Sequence, residues 1–153
     1  MVEKLDDPFK EPEQSVMEDM KRIYSEITID HFLNPRNLGE LPTPDGFATV
    51  TGPCGDTTEI YLGVRDNTIM NASFRTDGCG PSIASGSMVT EMVKQITTGE
   101  AQRIGQQDIL TALGGLPEES KHCTLLAVNT LKEAIKDYLT VKKEPRKQSY
   151  RRQ

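Results

Sequence analysis

No stretch of this 153-residue chain approaches the ~20 consecutive apolar residues that a membrane-spanning helix needs, so no membrane partner is expected. The opening residues, MVEKLDDPFKEPEQ, lack an apolar segment, which argues against a secretory signal. The chain is therefore expected in the cytoplasm, where thiols stay reduced. Cysteine is scarce, three in all, and an odd number in a reducing compartment argues against a disulfide framework. None of the three forms a Cys-x-x-Cys pair, which excludes a zinc ribbon or finger. Aromatic residues, at 5%, do not interleave the charges of the middle of the chain as a stacking platform would require, so no nucleic-acid partner is expected.

Apolar content is 35%, and the shortfall lies at the two ends. Residues 1–14 are charged and rich in proline, and residues 140–153 read TVKKEPRKQSYRRQ. Neither end can bury enough apolar surface to offset the entropy of ordering. The expected organisation is a mobile acidic arm at 1–14, one compact domain at 15–139 and a mobile basic tail at 140–153. The net charge is −5, and the basic tail reads as a solvated end.

Within the domain, Val16, Met20, Ile23 and Ile27 recur at helical spacing. Ser15 as N-cap and Glu18 as its capping-box partner predict one helix running to Leu33, stopped by Asn34-Pro35. Three strands follow: Gly46 to Thr51, one carrying Ile60, Leu62 and Val64, and one carrying Met70, Ala72 and Phe74. Asp66-Asn67 suits a tight hairpin because both residues tolerate positive φ. From Pro81 a helical stripe of Ala84, Met88, Val89, Met92, Val93 and Ile96 runs toward Gly99. A short helix over Gln107–Leu113 is expected to stop at Gly114-Gly115. A last helix after Pro117 should bury Ala127, Leu131, Ile135 and Tyr138. Strands first and helices after predict an α+β fold: a three-stranded antiparallel sheet with about four to five helices packed on one face and flexible termini.

The cysteines sit where a core does not need them. Cys54 lies in Gly-Pro-Cys-Gly-Asp, in the turn between the first two strands. Cys79 lies in Asp-Gly-Cys-Gly-Pro, at the end of the third strand and the start of a helix. Cys123 follows His122 at the start of the last helix. Helix N-termini favour anions, so the thiols of Cys79 and Cys123 are expected to ionise readily. Three loop-borne thiols point to a shared metal site rather than to buried filler. Three thiolates lack a fourth partner, and Asp56 and His122 are both candidates. An oxygen or nitrogen ligand among thiolates holds a soft iron–sulfur unit less firmly than a fourth cysteine would, which suits a site that releases its cargo. His31 reads as structural or exposed. A cysteine hydrolase built on Cys123 and His122 lacks an oxyanion-stabilising motif, and side chains of adjacent residues are expected to diverge.

The chain resembles the IscU/NifU family of iron–sulfur cluster assembly scaffolds over about residues 22–139. The likeness rests on YSEITIDHFLNPRNLG from Tyr24, on Cys54-Gly55-Asp56, on Gly78-Cys79-Gly80 followed by IASGSMVTEMV, and on His122-Cys123 before a helix ending AIKDYL. It implies a three-stranded antiparallel α+β fold and a non-enzymatic role. It implies assembly of a transient [2Fe–2S] cluster, with [4Fe–4S] the other nuclearity, and transfer to apo acceptor proteins. It further implies Cys54, Asp56, Cys79, His122 and Cys123 as the ligand set, with Cys123 as acceptor of persulfide sulfur. A cysteine desulfurase and iron and electron donors are the implied partners, and Zn²⁺ can occupy the same ligands in the cluster-free form. A monomer and a homodimer both fit. Where chaperone-served members read Leu-Pro-Pro-Val-Lys, this chain reads Leu116-Pro117-Glu118-Glu119-Ser120-Lys121. That change counts against docking of the dedicated Hsp70-type chaperone, and it puts Ser120 in place of a helper lysine, with Lys121 one position later. The spacing from Cys79 to Cys123 leaves no room for the insertion of SufU-type zinc sulfur carriers. A zinc-bound persulfide carrier serving a desulfurase remains the alternative function.

Overall fold

The computed structural model describes residues 14–143, so all of the arm at 1–14 except Gln14 and the tail beyond 143 lie outside the described residues. Helices α1 (Gln14–Ile23) and α2 (Glu26–Leu33) lead into strands β1 (Gly46–Thr51), β2 (Thr57–Arg65) and β3 (Thr68–Thr76). Helices α3 (Gly80–Val93), α4 (Thr98–Gln102) and α5 (Gln106–Ala112), a 3₁₀ turn (Glu118–Ser120) and helix α6 (Lys121–Lys143) complete the chain. The described residues thus hold six α-helices, more than the four to five expected. The sheet is an antiparallel meander in the order β1-β2-β3.

Alternation drives the layering. Ala48, Ile60 and Phe74 lie in one row across the strands, and all are buried. They face α3 and α6, which close the core with Val89, Val93, Val128, Leu131 and Ile135. Gly86, midway along α3, lets that helix lie on the sheet: a Cβ there would sit 2.4 Å from the Phe74 ring. The Asp66-Asn67 hairpin forms as expected, with φ of 53° and 63°.

Three expectations are corrected. The N-terminal helix is two helices. Ser25 interrupts it, accepting a bond from Thr28 N–H at 3.0 Å and donating to the Leu113 carbonyl, so it caps α2, while Ser15 lies inside α1. The predicted stripe is not a core stripe either: Val16, Ile23 and Ile27 are exposed, and α2 buries Thr28, Ile29 and His31 instead. The second correction is in β3. Gly63 pairs with Asn71 but Val64 pairs with Ile69, so Met70 is an extra residue in a bulge. The bulge moves the inward position from Met70 to Ile69, which is fully buried. Third, the long stripe toward Gly99 breaks. Helix α3 ends at Val93 and Gln95 takes φ 72°, because Gln95 N–H and the Ile96 carbonyl bond to Ile69. A capping box of Thr97 and Glu100 then starts α4.

Helix α6 also runs past the expected boundary at residue 139. Val141 is buried, and Lys142 Nζ donates to Asn67 Oδ1 at 2.8 Å. His31 is structural: buried, with Nδ1 2.7 Å from Ser87 Oγ on α3.

Candidate metal centre

Each of the five predicted residues sits at an end of an element or in a turn. Gly52–Asp56 connects β1 to β2 across the Thr51–Thr57 pair, closed by Gly52 N–H bonding the Asp56 carbonyl at 2.8 Å. Gly55 makes that turn with φ 94°, which sets Cys54 out in solvent and leaves Asp56 half-buried. Cys79 is the extended N-cap residue of α3, with Pro81 in the first turn behind it. Its thiol makes no capping bond and is exposed. His122 and Cys123 open α6, whose entry is fixed by Gln106 Nε2 bonding the Lys121 carbonyl at 2.9 Å.

These segments meet at one rim. The Cys54 sulfur, an Asp56 oxygen and a His122 nitrogen all lie within 4.8 Å of one another. His122 Nε2 is 3.7 Å from Cys123 Sγ, so the two neighbouring side chains converge, against the divergence expected of adjacent residues. Cys123 is buried, unlike the other two cysteines. Burial pushes its thiol above the usual range, against the lowering expected from the helix N-terminus. The Ser82 hydroxyl opposes that rise, and the nearby charges of Cys79, Asp56 and Cys54 add to it. All three cysteines, the acid and the imidazole therefore share one neighbourhood.

Gly78 permits the closeness. A Cβ on it would lie 2.4 Å from Ser82 Oγ and 3.0 Å from Asp56 Oδ2. Ser82 itself went unread in the sequence. Its hydroxyl donates to Cys123 Sγ at 3.4 Å. The one sequence signal for it is its place three residues after Cys79, on the first turn of the same helix.

Cys54, Asp56 and His122 could hold a metal ion, and Cys123, beside the same imidazole, offers a further sulfur. The NifU-like N-terminal domain family matches residues 23–145, a span that takes in every one of these groups. This chain is a member of that family. It is 47% identical over 117 residues to the iron–sulfur cluster assembly scaffold protein IscU 1 of Archaeoglobus fulgidus, covering 76% of each chain. It is 45% identical over 120 residues to the scaffold protein IscU of Escherichia coli K12, covering 75% of this chain and 93% of the other. The crystal structure of a NifU-like protein (N-terminal) from Brucella abortus superposes with a TM-score of 0.64 over 79% of this chain and 97% of that one. At 24% identity, that likeness speaks for the shared fold. Both the A. fulgidus and the E. coli relative are named as scaffold proteins of iron–sulfur cluster assembly.

Proposed function

We propose that the rim assembles a [2Fe–2S] cluster and passes it to apo acceptor proteins, with Cys54, Cys79 and Cys123 as sulfur ligands and Asp56 or His122 completing the set. The observation that carries the reading is the convergence of Cys54, Asp56 and His122 within 4.8 Å, with Cys123 3.7 Å from the same imidazole. A cysteine desulfurase supplies the sulfur. The Cys123 thiolate attacks the outer sulfur of the desulfurase persulfide; a new S–S bond forms as the old one breaks, and the desulfurase thiolate leaves. Two electrons from an electron-donor partner then cleave the new bond, releasing sulfide to iron held at the thiolates and restoring the Cys123 thiolate. The protein supplies position and charge, and the redox chemistry belongs to iron and sulfur.

The acid–imidazole side favours release, since oxygen and nitrogen bind soft iron–sulfur units less firmly than thiolate. Asp56→Ala is expected to slow transfer to an apo acceptor by roughly tenfold, followed by acceptor absorbance. Transfer at the wild-type rate would remove Asp56 from the labile position. The altered segment before His122 supports service without the dedicated Hsp70-type chaperone: Lys121 pairs with Glu118 at 3.1 Å, and Ser120 is buried. No helix of the described residues is long and apolar enough to cross a membrane. A cytoplasmic setting is part of the same proposal.

The tight Cys54, Asp56 and His122 group also favours a second reading, a zinc-bound persulfide carrier. Tetrahedral zinc spaces its ligand atoms roughly 3.3–3.8 Å apart, so a small closure would suffice. Anaerobic reconstitution with iron, cysteine and a desulfurase separates the two. Visible sulfide-to-iron absorption with acid-labile sulfide is the expected result, and a colourless protein holding one zinc would replace the first reading by the second.

A further inference from the structure

Of the four hydroxyl side chains on α3, two bond back along their own helix, and Ser87 meets His31 and the Arg36 N–H. Ser85 Oγ donates to the Pro81 carbonyl at 2.7 Å, and Thr90 Oγ1 donates to the Gly86 carbonyl at 2.7 Å, each one turn back along its own helix. Ser82 does neither. Among the described residues its one hydrogen bond is to the sulfur of Cys123, 41 positions away and on another helix. Ser82 is 4% exposed, so water does not compete for its proton. Its oxygen also fills the space beside Gly78, 2.4 Å from where a Cβ would sit, with Asp56 Oδ2 at 3.0 Å from the same point. A bulkier residue at 78 would displace it.

We propose that the Ser82 hydroxyl is a positioning donor for Cys123: it holds Sγ toward the rim and keeps donating to that sulfur when the sulfur binds metal. The inference rests on the reading of Cys123 as a metal-binding sulfur given above. A thiolate ligand on a metal keeps lone pairs that accept hydrogen bonds, and such bonds to cluster sulfurs tune the potential. A donor fixed by a helix costs nothing to reorganise when charge on the sulfur grows. The other sulfurs of the rim, Cys54 and Cys79, are exposed and can meet water instead.

The test uses the full-length, reduced, metal-free protein and Co²⁺ as a spectroscopic probe, with wild type, Ser82→Ala, Ser82→Thr and Cys123→Ala compared. Alanine is the better helix former, so Ser82→Ala is expected to stay folded, which far-ultraviolet circular dichroism checks. A hydrogen bond lowers the energy of the sulfur lone pairs, so its loss should shift the sulfur-to-cobalt charge-transfer band of Ser82→Ala to longer wavelength. Ser82→Thr, which keeps the hydroxyl, should return the band toward wild type. In the iron-reconstituted protein, the same loss should move the reduction potential to a more negative value. A folded Ser82→Ala with wild-type band and potential overturns the proposal while Cys123→Ala still loses intensity. If Cys123→Ala keeps the full wild-type band, Cys123 is not a ligand, and the underlying reading fails along with this one.

Discussion

Gly78 carries the tightest steric constraint at the rim. Its hydrogen occupies space that a methyl group could take only by moving Ser82, whose Oγ and Cβ would lie 2.4 and 2.6 Å away, or Asp56. Gly78→Ala is therefore expected to cost on the order of 1–3 kcal/mol in denaturant unfolding. With the rim holding a metal as proposed, it should also weaken zinc binding by roughly tenfold in a chelator competition, because two groups of the rim move together. The turn positions of Cys54 and Cys79, two of the proposed ligands, were legible because their neighbours betray them: glycines and prolines around both make sense only as turns. Ser82 was not legible, since Ser82 and Ser85 look alike in sequence, and what separates them is a sulfur that only the folded chain brings near.

Helix α2 is pinned from both sides. Ser25 and Thr28 both bond the Leu113 carbonyl at the end of α5, and His31 meets Ser87 on α3. Ser25→Ala should lower stability by about 1 kcal/mol in a denaturant titration, the usual cost of a lost N-cap. Burial, aided by the Arg36 charge, holds the His31 imidazole below its ordinary 6.5. The unfolded chain then binds the proton more readily than the folded one. The contribution of His31 is intact above the ordinary value and is lost as pH falls through the depressed one. Wild type should accordingly lose melting temperature between about pH 7 and pH 5 more steeply than His31→Gln. The strands were readable to the residue in the case of β1, Gly46–Thr51, because alternation and turn residues agree there. The β3 bulge was not, since Met70 becomes the odd residue only through pairing with β2. The break at Ser25 was hidden by a stripe with the right spacing for one long helix, and only the distant Leu113 carbonyl decides it.

The two ends of the described structure contribute unequally to the whole. Helix α1 buries no residue and lies almost wholly before the family match at 23–145. Val16→Ala, on the exposed surface of α1, should change the unfolding free energy by less than about 0.5 kcal/mol in a denaturant titration. Ending the chain after Leu139 should be felt, because it removes buried Val141 and the Lys142 bond to Asn67. A loss of roughly 1.5–3 kcal/mol is expected for the valine alone, read from the denaturant midpoint. Helix α6 is thus anchored at both extremities: His122 and Cys123 at the rim, Tyr138 and Lys142 at the Asp66-Asn67 hairpin. Between them the backbone acts as a rod whose phase is fixed by its pitch. One residue inserted into that rod would rotate the imidazole and thiol by about 100° relative to the far anchor, whatever the inserted residue. The number of residues from Thr124 to Asp137 is then as much a part of the proposed site's specification as the proposed donors themselves.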